Sequence, residues 1–389
     1  MKLAFVTDNH FDSGSRFEET IRIHEWIAQD AAERGCGGTL LGGDLYERRS
    51  NPDERNAAGA WLIRMATFGT VIGVKGNHEA EGDLDLLNLL EAQHPIRFHA
   101  QPALDAFDGV LVACIPWPRR ANLLAQLTDG ANAGNAASEA LRAVFRGLGS
   151  RARDSGLPLL ALGHVMIDGA STDHDQPIVG ADMAVSLADL ALLDADLYAC
   201  GHVHAQQGGM IGDAPWLYGG APRHNNFGEP GPKGYVVIEV EPGRSGRVVG
   251  FERIPTPATP MVLVSDEWGF DDGFGRDVFL AGAHGLPDSV RGAEIRFRYR
   301  VAADRRDAAR LAASRWRDDW LAEGALSVKV EEQVVAATRA RVPEIALART
   351  TAEKLVALRT SKGEQLDAAR TARLDEKLSQ LEQEVRNAS

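Results

Sequence analysis

Thr70-Val71-Ile72-Gly73-Val74-Lys75-Gly76-Asn77-His78-Glu79 is the stretch that decides the fold. Its β-branched opening predicts a buried strand over 70–74, and Gly76 lets the chain turn sharply off that strand. A neutral oxygen donor and an imidazole then stand side by side. Asparagine next to histidine is ordinary in a surface turn, so the pair alone carries little. The same order, an apolar run and then a residue of the kind that binds metal, recurs four more times. Asp8-Asn9-His10 follows the run 3–6, and Gly43-Asp44 follows 39–41. Gly163-His164 follows 157–162, and Gly201-His202-Val203-His204 follows 197–200. One such motif is usually structural; five in one half of a chain point to a shared site.

Outward from these motifs, residues 1–254 alternate strand and helix patterns. Apolar spacing predicts a helix over 16–34, with Phe17, Ile21, Trp26 or Ile27, and Ala31 as its buried stripe. Ser50-Asn51-Pro52-Asp53 is a cap and proline entry to a second helix, which carries Trp61, Leu62 and Met65 and runs to about residue 68. A short helix is expected over 83–93, burying Leu84, Leu87 and Leu90, with Leu89 as a further candidate. A strand over 110–115 is closed by Pro116-Trp117-Pro118, a loop fills 128–138, and a helix follows to 156. Beyond about residue 210 come short strands at 215–218, 234–241 and 247–254. The pattern predicts an α/β fold in which two stacked sheets lie between helical layers, a four-layer α-β-β-α sandwich. Ligands in such sheets gather beyond the carboxyl ends of the strands, where all five motifs fall.

Thr256-Pro257-Ala258-Thr259-Pro260 reads as a linker, which divides the chain into a catalytic domain, 1–255, and a smaller α/β unit, 256–340. In the latter, Ile295, Phe297, Tyr299 and Val301 alternate with Arg296, Arg298 and Arg300, so a strand buries one face and turns arginines outward. A helix over 304–323, with Ala308, Ala312, Trp316 and Trp320 on one side, and a strand over 326–335 follow. The segment 341–389 reads as helical and charged. Leu374, Leu378, Leu381 and Val385 form a short heptad seam, too short to hold a coiled coil alone and suited to a partner's groove.

At 389 residues, with 44% hydrophobic and 25% charged side chains, the composition is that of a globular protein. The start is neither a signal peptide nor a membrane anchor, and no apolar run reaches the roughly 20 residues of a membrane helix. Cys36, Cys114 and Cys200 make no C-x-x-C pair and lie in apolar runs, which fits a reducing cytoplasm. A net charge of −13 does not advertise a nucleic-acid binder, so any phosphate contact has to use local arginines.

Aspartate, asparagine and histidine on strand-end loops suit two hard or borderline divalent ions. Asp8, His10, Asp44 and His204 are expected at one, and Asp44, Asn77, His164 and His202 at the other, with Asp44 shared. Two ions about 3.5–4 Å apart can clamp a phosphoryl group and activate water for in-line attack. His78, left over from the ligand count, is placed to protonate the leaving oxygen. His24, His94, His99, His174, His224 and His284 read as structural or solvated, with His224 the nearest to the site.

With those residues in hand, the chain resembles the calcineurin-like metallophosphoesterases. The family's signature stands here as Asp8/His10, Gly43/Asp44, Gly76/Asn77/His78, Gly163/His164 and Gly201/His202/His204. Within that superfamily it is similar to SbcD-type DNA repair nucleases, on Gly43-Asp44-Leu45-Tyr46, the run 198–207, Tyr218-Gly219-Gly220-Ala221-Pro222, Phe227-Gly228-Glu229 and Lys233-Gly234-Tyr235. The resemblance implies a nuclease with two metal ions, manganese foremost, acting on double-stranded DNA ends and hairpins. It also implies a capping domain at 256–340, docking of 341–389 on an SbcC-type ATPase, a nucleoid-associated place in the cytoplasm, and a homodimer through the helices near 53–68 and 83–93. Glu79 and Glu47 depart from the family pattern. The competing readings are a phosphoesterase for a nucleotide or small phosphoester, and a scaffold that has lost catalysis; the complete ligand set argues against the last.

Overall fold

A computed structural model describes residues 1–120, 123, 133–171, 183–229, 231–243, 246–271, 277–279, 289–335, 350–362, 372–373, 376–378 and 380–381. The first half folds on two six-stranded sheets. In chain order the strands are β1 (Lys2–Val6), β2 (Cys36–Leu41), β3 (Thr70–Val74), β4 (Ile96–His99), β5 (Ala103–Phe107), β6 (Val110–Ile115) and β7 (Leu159–His164). The short pair β8 (Met166–Ile167) and β9 (Ala184–Val185) precedes β10 (Leu197–Gly201), β11 (Gln207–Ile211), β12 (Ala214–Tyr218), β13 (Gly234–Glu241) and β14 (Arg247–Pro255). One sheet has the order β14-β13-β1-β2-β3-β4 and the other β11-β12-β10-β7-β6-β5.

Alternation along the strands builds the layers. Leu3, Phe5, Leu40, Ile72, Val112, Cys114, Leu160 and Leu197 meet in the core between the sheets. Their neighbours Ala4, Val6, Leu41 and Val71 face the helices Phe17–Glu33 and Pro52–Met65. On the other sheet Leu111, Ala113 and Ala161 share a cluster with Phe145 of the helix Ala133–Arg153. Burial on both faces explains why these strands read as continuous apolar runs. The four-layer α-β-β-α arrangement is the expected one.

Several local readings shift. The first helix buries Thr20, Ile23, His24, Ile27 and Ala31, while Phe17, Ile21 and Trp26 are half-buried. The second is capped by Asn51, whose side chain accepts from the Asp53 and Glu54 amides while Glu54 reaches back to the Asn51 amide. No helix forms over 83–93: a single 3-10 turn, Leu87–Leu89, stands there. Leu84 and Leu87 are buried as expected and Leu90 is half-buried, but Leu89 is exposed, as is Leu86. Asp83 is the physical reason, because its carboxylate accepts from the Ala80 amide, the Ser50 amide and the Ser50 hydroxyl and so fixes a loop. The helix Ala133–Arg153 begins inside the segment expected to be a loop.

A third sheet has the order β16-β15-β17-β18, from β15 (Met261–Asp271), β16 (Asp277–Phe279), β17 (Glu294–Ala302) and β18 (Ser327–Val335). Ile295, Phe297, Tyr299 and Val301 are fully buried, as their alternation predicts. The buried positions of the helix Arg306–Ala322 are Ala309, Ala313 and Trp320, one residue on from the expected alanines. By proximity the chain forms two compact units, one of Met1–Val264, His284–Phe297 and Arg317–Lys329, the other of Ser265–Ala283, Arg298–Trp316 and Val330–Ser389. Leu374 and Val385 of the heptad seam, with His174 and His284, lie outside the described residues. No helix among the described residues is long and apolar enough to cross a membrane.

Candidate metal centre

Strands β1, β2 and β3 run parallel in one sheet, and β7 and β10 run parallel in the other. Their carboxyl ends therefore deliver Asp8, Asp44, Asn77, His164 and the His202–His204 pair to one edge of the stack. The approach is tight. A β-carbon on Gly76 would fall 2.0 Å from Asp44 Oδ1, so only glycine lets the Asn77 loop pass the Asp44 carboxylate. The backbone is held in the left-handed region at Asp8 (φ 53°), His10 (φ 47°), Asp44 (φ 50°) and His202 (φ 103°). Non-glycine residues rarely adopt that region, and clustered outliers of this kind mark functional sites.

All eight residues singled out from the sequence converge here, in two groups. In the first, His10 Nε2 and His204 Nε2 face each other at 3.0 Å, and Asp8 lies with them. In the second, Asn77 Oδ1 stands 2.9 Å from His164 Nε2 and 3.0 Å from His202 Nδ1. Asp44 Oδ2 is 3.2 Å from that same His164 nitrogen, and Asp8 joins these two as a further set of converging donors. His202 and His204, two residues apart, thus part to different groups. His78 stands at the rim, its Nδ1 donating to the Glu47 carbonyl at 2.5 Å and its Nε2 3.8 Å from Asp44 Oδ2.

The donor set fits divalent metal ions. Three ring nitrogens that face away from the cluster are covered by oxygen: His10 Nδ1 by Glu47 Oε2 at 2.7 Å, His204 Nδ1 by Glu229 Oε1 at 3.0 Å, and His164 Nδ1 by the Gly42 carbonyl at 2.6 Å. The hydrogen-bonded partners of His204 and His164 fix the tautomer and turn the opposite nitrogen inward as a ligand, while Glu47 lies in ion-pair range of His10. Burial pushes His10 down and His202 down to about 4, so both imidazoles are neutral, as ligation requires. Burial acts on His164 in the same direction, but the buried Asp44 carboxylate overrides it and raises the ring to about 9. The Asp44–His164 locus draws positive charge, and a proton and a metal ion compete for it.

Four residues of the site escaped the sequence reading or were left open by it. Glu47 braces His10, and Glu229, itself held by Lys233 Nζ at 2.7 Å, braces His204. Glu79 accepts from the Leu45 amide and, at 2.7 Å, from the Gly76 amide, tying the Asp44 and Asn77 loops together. Burial, then the nearby Asp44 charge, raises the Glu79 carboxyl to about 7. Trp117 packs its ring 4.6 Å from that of His202 and 5.7 Å from that of His164. It stands just past an apolar strand, as the five motifs do, but an indole carries no metal-binding signal to single it out.

The centre opens into a cavity of about 370 Å³, lined on one side by His10, Asp44, His78, His202 and His204 and on another by Arg223 and the segment 225–229. A family model described as "Calcineurin-like phosphoesterase" matches residues 1–206, more than half of the chain. The chain belongs to the calcineurin-like phosphoesterases. This family is one of metal-dependent hydrolases, and the chain is a metal-binding phosphoesterase. Among curated relatives, the SbcD component of the SbcCD nuclease of Escherichia coli strain K12 is 23% identical over 299 residues, covering 69% of this chain and 71% of that protein. The same component from Escherichia coli O157:H7 matches equally. Solved structures with partial likeness include a dimetal phosphatase from Danio rerio, 10% identical over 66% of this phosphoesterase and 97% of that chain, TM-score 0.40. Another is the phosphopantetheinyl hydrolase of Mycobacterium tuberculosis, 15% identical over 57% and 90%, TM-score 0.35.

Proposed function

We propose that this phosphoesterase is a two-metal nuclease that hydrolyses DNA at double-stranded ends and hairpins, with manganese ions and an SbcC-type ATPase partner. The observation that carries the nuclease reading is the 299-residue match to a nuclease component, which is longer than the 1–206 family segment. In this reading Asp8, His10, Asp44 and His204 hold one ion, Asp44, Asn77, His164 and His202 the other. The ions would supply the charge that binds a phosphodiester and activates water for in-line attack.

The chain's own residues do the rest. Glu47, Glu229 and the Gly42 carbonyl keep the three ring nitrogens aimed inward. Glu79 keeps the two central loops at a fixed separation. His78 donates Nδ1–H to the Glu47 carbonyl, which leaves Nε2 at the cavity wall. Burial lowers the His78 pKa, but the Asp44 carboxylate and the Glu47 carbonyl more than offset that, so the ring is held protonated more readily than usual. A proton on Nε2 is then available to the departing alkoxide.

One observation favours a smaller phosphoester instead. The arginines of β17 are already engaged: Arg298 with Glu331 at 3.2 Å, Arg300 with Glu267 at 4.0 Å, and Arg296 over the Phe227 ring at 4.3 Å. Together with the acidic net charge, this leaves less basic surface for a duplex. The purified chain, incubated with manganese and end-labelled duplex and hairpin DNA, is expected to release labelled nucleotides or fragments. Undegraded DNA, beside rapid turnover of a small phosphodiester under the same conditions, would select the second reading.

The proposed homodimer draws support from apolar surface on the segments first suspected. Ile63 on the helix Pro52–Met65 is 39% exposed, and Leu86 and Leu89 beyond β3 are 56% and 75% exposed. Leu86→Glu with Leu89→Glu is expected to halve the solution mass measured by light scattering at micromolar concentration while leaving the circular dichroism unchanged. A wild-type chain that is already monomeric would remove the dimer from the proposal.

A further inference from the structure

Arg223 is the anomaly of the cavity wall. It is only 3% exposed, yet it lines the cavity beside the metal centre. Its guanidinium donates to the Thr20 hydroxyl at 2.7 Å, the His224 carbonyl at 3.0 Å and the His10 carbonyl at 3.2 Å. All three partners are uncharged. Among the described residues, no carboxylate oxygen lies within 4 Å of it, whereas the neighbouring Arg16 contacts both Glu19 and Glu294. A buried cation normally has an anionic partner, because desolvation costs several kcal/mol that neutral acceptors do not fully return. The three bonds account for the placement of Arg223. Its charge is met only from beyond ion-pair distance, by Glu19, Glu229 and Glu47, and two of the five guanidinium N–H groups remain.

The cavity supplies the context. At about 370 Å³ it falls in the size range of small-ligand sites and exceeds what one phosphoryl group needs. The wall that carries Arg223 also presents Asn225, Asn226 and Phe227. Phe227 is fixed under the Arg296 guanidinium and offers an apolar surface of the kind on which a sugar or base packs.

We propose that Arg223 and Phe227 form a nucleotide subsite next to the metal centre, in which Arg223 holds the phosphate adjacent to the scissile one. The inference rests on the nuclease reading, since in a polynucleotide strand every internal scissile phosphate has a neighbouring phosphate one nucleoside away. Arg223 draws the flanking phosphate with its unused donors, a charge-assisted interaction between planar guanidinium and phosphate oxygens. Phe227 packs against the nucleoside between the two phosphates. The subsite thereby sets the register of the strand, so that one phosphate is over the metal donors while its neighbour is at the arginine.

Calorimetric titration of the manganese-loaded full chain tests this with two probes, thymidine 5′-monophosphate and thymidine 3′,5′-bisphosphate. The wild type is expected to bind the bisphosphate roughly 10- to 100-fold more tightly, the scale of one charged hydrogen-bonded contact. Arg223→Met is expected to bring the two affinities within about twofold while elemental analysis still finds its metal ions, and Arg223→Lys to fall between. Phe227→Ala is expected to weaken both probes together. Equal affinities in the wild type overturn the subsite outright, even if Arg223→Met does not fold. A folded, metal-replete Arg223→Met that keeps the full preference overturns the assignment to Arg223. Digestion of end-labelled duplex and hairpin DNA by the wild type is measured alongside: its absence removes the nuclease reading and the subsite with it, whereas digestion without a bisphosphate preference removes only the subsite.

Discussion

Asp44→Ala is expected to abolish hydrolysis of any phosphodiester and to leave the purified protein with fewer than two metal ions per chain. Asp44 is 1% exposed, sits 3.2 Å from His164 Nε2, and is the carboxylate both proposed ion sites share. It also accepts the His78 amide at 3.0 Å, so its loss loosens the Asn77–His78 loop as well as the donor set. Elemental analysis of the folded variant decides: two ions still bound per chain would show that Asp44 is not shared. Asp44→Asn is the finer probe. It keeps the shape and removes the charge that holds His164 protonated in the metal-free protein, so ions should bind weakly rather than not at all.

His78→Ala is expected to behave differently, retaining its metal and losing roughly 10²- to 10⁴-fold in turnover, the span of one general acid. The geometry separates the two variants. The His78 ring is 34% exposed at the cavity wall and reaches Asp44 Oδ2 only at 3.8 Å, whereas the His10, His164, His202 and His204 rings stand within 3.0–3.2 Å of another donor of the cluster. The loss should shrink on a substrate whose leaving group needs no proton, such as a nitrophenyl ester. A metal-depleted His78→Ala protein would make the residue a ligand instead.

What was legible in the sequence was whatever depends on short range. The strands over 70–74 and 234–241 were readable residue for residue, because a β-branched run bounded by glycine has few other fates. The converging histidines were readable because each ends or closely follows a strand in sequence. The braces were not. Glu229 meets His204 from 25 residues away, Glu47 meets His10 across 37, and Arg223 reaches the His10 carbonyl across more than 200. Nothing local marks a glutamate for such work. The loop at 83–93 was misread for the converse reason: leucines at helical spacing imitate an amphipathic stripe, while the Asp83 contacts with Ser50 that prevent the helix are long-range.

The left-handed backbone at Asp8, His10, Asp44 and His202 has an energetic corollary. At each of these positions glycine would relieve conformational strain of order 1–3 kcal/mol, but it would also remove the Asp8 and Asp44 carboxylates that accept the His202 and His78 amides, each at 3.0 Å. The strained backbone is thus a local cost, offset in part by those amide contacts, at the four positions whose side chains converge on the centre.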